Sequence, residues 1–189
     1  MKNFVKKIIK FFGYKLIKSL DYELETTNKY NKKLIKDFSP YTMTSDVKIF
    51  SLIKAFEYVN KYKIGGDFVE SGVYTGGNVM LLKKLIKKHG LKKKIYCYDT
   101  FSGMPQASIY DIKIDGTSAI EKLSRKKNWS SCTLEKVKKN FKEKNLSLKN
   151  IRFIKGKVEE TLKFSNNLPK KISILRLDTD FYESTKAEL

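Results

Sequence analysis

The sequence predicts an α/β fold in which a parallel sheet is flanked by helices, and three observations carry that prediction. Short apolar runs alternate with longer segments at helical spacing, the order that gives parallel strands joined by right-handed crossovers. Three of these runs end in an acidic residue, Glu70, Asp99 and Asp178. The first run also turns through glycines into a helix, and ligands of parallel sheets bind outside the carboxyl ends of their strands. At 189 residues the chain is long enough for one such domain with a layered core.

Residues 2–20 put Phe4, Ile8, Phe11, Phe12 and Leu16 near helical spacing with lysines between them, which predicts a basic amphipathic helix. Its apolar positions are too interrupted for a signal peptide or a membrane span. Such a helix suits peripheral contact with an anionic membrane, or packing on its own domain or on a second subunit of a homo-oligomer. Residues 21–38 are polar and charged, a helix or an ordered connector, and Ser39-Pro40 breaks whatever precedes it. We therefore divide the chain into a basic helical segment, 1–40, and a ligand-binding domain, 41–189.

Ser45 is placed to cap a helix over 46–62, to which Phe50, Ile53, Ala55, Phe56 and Val59 give an apolar face. Ile64-Gly65-Gly66 ends it and opens the first strand. The stretch from Asp67 to Asn78 then runs from an apolar strand through Glu70, Ser71, Gly72, Val73 and Tyr74 to Gly76 and Gly77, and on into the helical run that begins at Val79. Glycines permit close backbone approach and the helix start offers unpaired N–H groups. The spacing is Glu-x-Gly-x-x-x-Gly-Gly, not the Gly-x-Gly-x-x-Gly of dinucleotide binders. A carboxylate at that strand end suits a ligand carrying a positive charge, such as the amino group of S-adenosylmethionine, better than it suits a pyrophosphate.

A second strand over 94–99 ends in Asp99, where adenosine-binding α/β folds grip a ribose diol. Residues 100–130 have little periodicity, and a segment that long inside a domain reads as a lid or binding loop. A helix over 133–144, a third strand over 151–156, a short helical run over 158–162 and a fourth strand over 172–178 complete the alternation. Glu70, Asp99 and Asp178 then share one edge of the sheet.

Net charge is +20, which invites a nucleic-acid partner. Against it, Arg125, Arg152 and Arg176 are the only arginines, and arginine is the usual residue for bidentate phosphate and base recognition. The scattered lysines read as solvated faces. Cys97 and Cys132 form no Cys-x-x-Cys pair and are expected as free thiols in a reducing, cytoplasmic compartment. His89, the single histidine, precedes Gly90 at a helix end, which leaves no histidine-rich metal site and no Ser-His-Asp triad.

The block Gly66-Asp67-Phe68-Val69-Glu70-Ser71-Gly72-Val73-Tyr74-Thr75-Gly76-Gly77 resembles the first motif of the macrocin O-methyltransferase family. Tyr98-Asp99-Thr100-Phe101-Ser102-Gly103-Met104-Pro105 and Ile174-Leu175-Arg176-Leu177-Asp178-Thr179-Asp180-Phe181-Tyr182-Glu183-Ser184-Thr185 resemble two further blocks. Shorter echoes are Tyr41-Thr42-Met43-Thr44 and Gly156-Lys157-Val158-Glu159-Glu160-Thr161-Leu162. The resemblance runs from about Tyr41 to the last residue.

It implies a class I methyltransferase fold, S-adenosylmethionine as donor, a saccharide or glycosylated small molecule as acceptor, and a divalent metal, usually Mg2+, on the acceptor hydroxyl. By position, Glu70 with the Ser71–Tyr74 backbone would hold the methionine part of the cofactor, with Gly76, Gly77 and Asn78 shaping the turn beneath it. Asp99 would bind the ribose, with Thr100 and Phe101 beside the adenine. Asp178 would be the catalytic residue and first metal ligand, and Asp180 the second choice. The family continues beyond the position matched by Leu189 with a further strand and an acidic pair. The resemblance therefore implies a chain truncated at its C-terminus, with an unpaired apolar strand edge and little activity alone. Two other readings stand beside this one: an RNA methyltransferase, and a non-catalytic, basic, membrane-peripheral binding protein.

Overall fold

Four parallel strands, β1 (Asp67–Ser71), β2 (Ile95–Asp99), β3 (Ile151–Lys155) and β4 (Ile172–Leu177), form one sheet in the order β3-β2-β1-β4. The structure is a computed structural model and describes residues 2–13, 24, 26–125 and 129–189. The chain steps outward from β1 through β2 to β3, then returns to the far side of β1 with β4. That reversal opens a crevice at the carboxyl ends of β1 and β4, where ligands of such sheets bind.

The burial of each strand follows from its place in the order. β1 and β2 are central and almost wholly buried, whereas edge strands β3 and β4 have one buried position each, Ile154 and Ile174, among half-buried and exposed ones. In register, Glu70 of β1 lies between Cys97 of β2 and Arg176 of β4.

The helices are α1 (Lys2–Phe11), α2 (Lys29–Phe38), α3 (Asp46–Lys61), α4 (Gly77–Lys88), α5 (Ala119–Arg125), α6 (Leu134–Glu143), α7 (Val158–Thr161) and α8 (Tyr182–Glu188). Ser45 caps α3 as the sequence predicts, its hydroxyl accepting from the Lys48 N–H at 3.5 Å. Thr133 caps α6 at 3.2 Å and Asn28 caps α2 at 2.9 Å. The basic helix expected over 2–20 is present as α1 and closes at Gly13, whose φ of +77° ends the turn. Positions 14–20 lie outside the described residues. No helix among the described residues is long and apolar enough to cross a membrane.

The two faces of the sheet are covered unequally. On one, Phe68, Ile95, Cys97 and Ile174 pack into a large core with Leu34 and Phe38 of α2, Ile53 and Phe56 of α3, Leu81 and Leu82 of α4, and Phe141 of α6. Each such side chain removed from water stabilises the fold by about 1.5–3 kcal/mol. On the other face, Val69, Tyr96, Tyr98 and Ile154 meet Val158 of α7 in a small cluster. Toward β4 this cover thins, and Leu175 remains 49% exposed.

The segment 100–130 is more ordered than its sequence suggests. It contains α5 and an antiparallel bridge between Ile112 and Ser118. A seven-residue helix spans fewer than two full turns, too little for the apolar period to emerge from the sequence.

Candidate functional site

The turn after β1 is held by contacts that only glycine allows. Gly72 has φ +83°, and a Cβ built there would lie 2.2 Å from the carbonyl oxygen of Asp178, so the ends of β1 and β4 meet backbone to backbone. Gly77 plays the same part at the start of α4, where a Cβ would stand 2.6 Å from the Tyr41 carbonyl. The Thr75 hydroxyl donates to that same Tyr41 oxygen, and Asn140 of α6 donates to the Thr75 carbonyl at 2.9 Å. The motif is thus pinned from both sides by residues distant in sequence.

Asp99 closes the turn from β2. Its Oδ2 accepts from the backbone N–H groups of Val73 at 2.7 Å and Tyr74 at 2.9 Å, and its Oδ1 from Phe101 N–H at 2.7 Å. A carboxylate offers about four acceptor positions, so one remains on Oδ1 for a ligand hydroxyl. Tyr74, Phe101 and Asp180, each just beyond a strand end, have positive φ of 51°, 49° and 67°. Backbone in this region is costly for side chains larger than Asn or Asp and persists where surrounding contacts fix it.

A second network joins β1 to β4. Arg176 donates from Nη1 to Glu70 Oε1 at 2.7 Å, and from Nη2 to Thr44 Oγ1 at 2.7 Å and Asp178 Oδ2 at 2.8 Å. Asn78 also donates to Glu70 Oε1 at 3.1 Å, while Glu70 Oε2 is buried without a partner. Glu70 is 1% exposed, and burial pushes its carboxyl up to about 7 against the pull of Arg176 and Asn78. Here the structure differs from the expectation drawn from the sequence. The positive charge that Glu70 meets belongs to the protein's own Arg176, placed beside it by the parallel register.

A cavity of about 410 Å³ opens over these strand ends. Gly72 and Tyr74, Tyr98, Asp99 and Thr100, and Asp178, Thr179 and Asp180 line its floor. The segment Thr42–Ser45 with Lys48, the loop residues Gly103, Met104, Pro105, Trp129 and Ser130, and the run Gly156–Glu159 with Ser184 form its sides. Of the residues that the sequence singles out, Gly72, Tyr74, Asp99, Thr100, Asp178 and Asp180 reach this wall. Glu70, Ser71, Val73, Gly76, Gly77, Asn78 and Phe101 stand outside it and support it. Phe101, for example, packs edge-on against Phe153 with centroids 6.0 Å apart.

The wall carries four carboxylates, Asp99, Glu159, Asp178 and Asp180, against two lysines, Lys48 and Lys157. Glu159 accepts from the Ser184 hydroxyl at 2.7 Å through Oε1, and its Oε2 is buried without a partner. Surrounding protein and the Asp178 charge raise the Asp180 carboxyl above its ordinary range. Among the described residues, no three His, Cys, Asp or Glu side chains gather as a metal-binding group. Asp178, expected as the first ligand of a metal, has Oδ2 engaged by Arg176. Sequence reasoning missed the roles of Arg176 and Glu159. The available signal was spacing, since Arg176 precedes Asp178 by two residues and a strand returns to the same face at that interval.

A parallel sheet that switches direction at β1, with an acidic crevice over the strand ends, is the class I methyltransferase fold. The solved structure of the O-methyltransferase NovP shares it with a TM-score of 0.71 at 23% identity, over 84% of this chain and 75% of that one. The family model described as Macrocin-O-methyltransferase (TylF) matches residues 7–189, and the chain belongs to this family of O-methyltransferases, as its three sequence blocks predict. It is 28% identical over 148 residues to the demethyldecarbamoylnovobiocin O-methyltransferase of Streptomyces niveus. It is 28% identical over 146 residues to the 8-demethyl-8-(2,3-dimethoxy-alpha-L-rhamnosyl)-tetracenomycin-C 4'-O-methyltransferase of Streptomyces olivaceus. Each match covers 77% of this chain and 54% of the relative, so the chain spans about half the length of these proteins.

Proposed function

We propose that this chain binds S-adenosylmethionine in the strand-end cavity and serves methyl transfer to a hydroxyl of a saccharide or glycosylated small molecule. The observation that carries the reading is the sign of the cavity: a wall with four carboxylates and two lysines inside a chain of net charge +20. Such a wall favours a cationic ligand and disfavours the phosphates of a nucleic acid or a dinucleotide. Family membership supports the donor, and the tetracenomycin relative, named for a rhamnosyl-bearing substrate, supports a glycosylated acceptor.

When bound, S-adenosylmethionine supplies a methyl group on a positively charged sulfur, which leaves as a neutral thioether when an oxygen attacks the methyl carbon. The chain's residues do the rest. Asp99 accepts a ribose hydroxyl at its remaining Oδ1 position, and the Gly72–Tyr74 backbone it clamps lies against the methionine portion. Glu70 acts from behind the wall as a positioning residue, holding Arg176 and through it Asp178. Asp178, with Oδ1 uncommitted, accepts the hydrogen bond of the acceptor hydroxyl and takes its proton as the oxygen attacks. A magnesium ion there would be held by Asp178 Oδ1 with Asp180 nearby, would complete its shell with water and acceptor oxygens, and would lower the pKa of a hydroxyl it bound.

Calorimetric titration with S-adenosylhomocysteine tests the reading. We expect saturable binding by the wild type and none by Asp99→Ala, which removes both the ribose acceptor and the clamp on the turn. A folded wild type that gives no binding heat overturns the assignment.

A further inference from the structure

We propose that α1 docks the protein on the surface of an anionic lipid bilayer, lying in the interface with its aromatic side inward. At about 100° per residue, helical positions 4, 5, 8, 9 and 11 fall within one arc, and they hold Phe4, Val5, Ile8, Ile9 and Phe11. Positions 2, 6, 7 and 10 fall on the opposite arc, and all four are lysine. The two characters are fully separated around the helix.

The described side chains of the apolar arc are left exposed by the protein itself. Phe4 is 67% exposed, Phe11 86% and Phe12, just past the helix end, 68%. Phe11 and Phe12 pack edge to face with centroids 5.5 Å apart, forming a paired aromatic tip in solvent. An apolar surface of this kind, rimmed by charge, marks a place where something binds.

Charge decides what that is. The first twenty residues contain six lysines and no acidic residue, and the whole chain carries a net +20. A second copy packed apolar arc to apolar arc would leave both lysine arcs without an opposite charge, and two bodies of net +20 repel each other. An acidic phospholipid surface satisfies both arcs together, taking the phenylalanines into the headgroup boundary while the lysines stay at the phosphates. Ten residues make a helix about 15 Å long, the right size to lie in the interface and too short to cross it. None of the described α1 side chains lines the strand-end cavity.

The test is co-sedimentation of the full chain with phosphatidylcholine vesicles, with and without phosphatidylglycerol. We expect binding that requires phosphatidylglycerol. The triple variant Phe4→Ser/Phe11→Ser/Phe12→Ser should lose more than about tenfold in affinity through lost apolar burial. Lys6→Gln/Lys7→Gln/Lys10→Gln should lose on the order of 100-fold, from roughly fivefold per lysine near an acidic surface. Thermal unfolding of both variants should match the wild type, since neither alters a core residue. Three results would each overturn the proposal. The first is wild type remaining in the supernatant with phosphatidylglycerol vesicles. The second is the phenylalanine variant sedimenting as well as wild type, which would assign the binding to general surface charge. The third is a concentration-dependent dimer, dissolved by the phenylalanine substitutions, in place of vesicle binding.

Discussion

Glu70 and Arg176 form a buried ion pair at the centre of the sheet, and their opposing needs yield two predictions. Arg176 keeps a carboxylate charged where water is excluded, and it also holds Asp178 and Thr44. Replacing it by methionine removes the charge that holds the carboxyl down to about 7, so Glu70 then keeps its proton at neutral pH. The loss in denaturant unfolding grows toward about 3–5 kcal/mol as pH rises above 7. The loss should shrink as pH falls below about 7, because Glu70 is then protonated in both proteins. The wild type should itself depend on pH at this residue. The folded-state value, about 7, lies above the ordinary 4.5, so the folded protein binds this proton more tightly than the unfolded chain does. The stabilisation is fully present below about pH 4.5 and is lost as pH rises through about 7, on the order of 3 kcal/mol. Stability curves of Glu70→Gln should lack that part of the decline, and an unchanged slope would place the proton elsewhere.

At the scale of elements, the site depends on two strand ends touching. Gly72→Ala adds a Cβ where the Asp178 carbonyl already stands and imposes a side chain on φ +83°, so we expect about 2–4 kcal/mol of destabilisation in thermal melts. Edge strand β4 should respond in the opposite way. Leu175 is half exposed on the thinly covered face, and Leu175→Lys should reduce aggregation, read by light scattering, with little change in melting temperature. These elements were largely legible in the sequence. β1 and β2 are short apolar runs bounded by glycine and a carboxylate, and Ser45 announces α3, because strand burial and helix capping are local properties. What was hidden depends on register. Nothing around Glu70 reveals that Arg176, 106 positions later, becomes its neighbour, and nothing around Asp99 reveals that three N–H groups converge on it. Helix α5 was hidden for another reason, its brevity.

Across the whole molecule, charge is sorted by depth. The surface is rich in lysine while the cavity wall is predominantly acidic, a division that the net +20 conceals when the chain is read as composition alone. The same division separates the two proposed tasks, small-ligand binding at the strand ends and surface contact at α1. Within the cavity, the three hydrogen bonds to Asp99 hold the Val73–Phe101 neighbourhood in place from within the chain itself. Binding there is therefore an encounter with a finished surface and needs no prior ordering of the chain. Stopped-flow traces with S-adenosylhomocysteine should rise as single exponentials whose rate grows linearly with ligand concentration. A plateau in that rate would reveal a slow rearrangement that the clamped turn ought to make unnecessary.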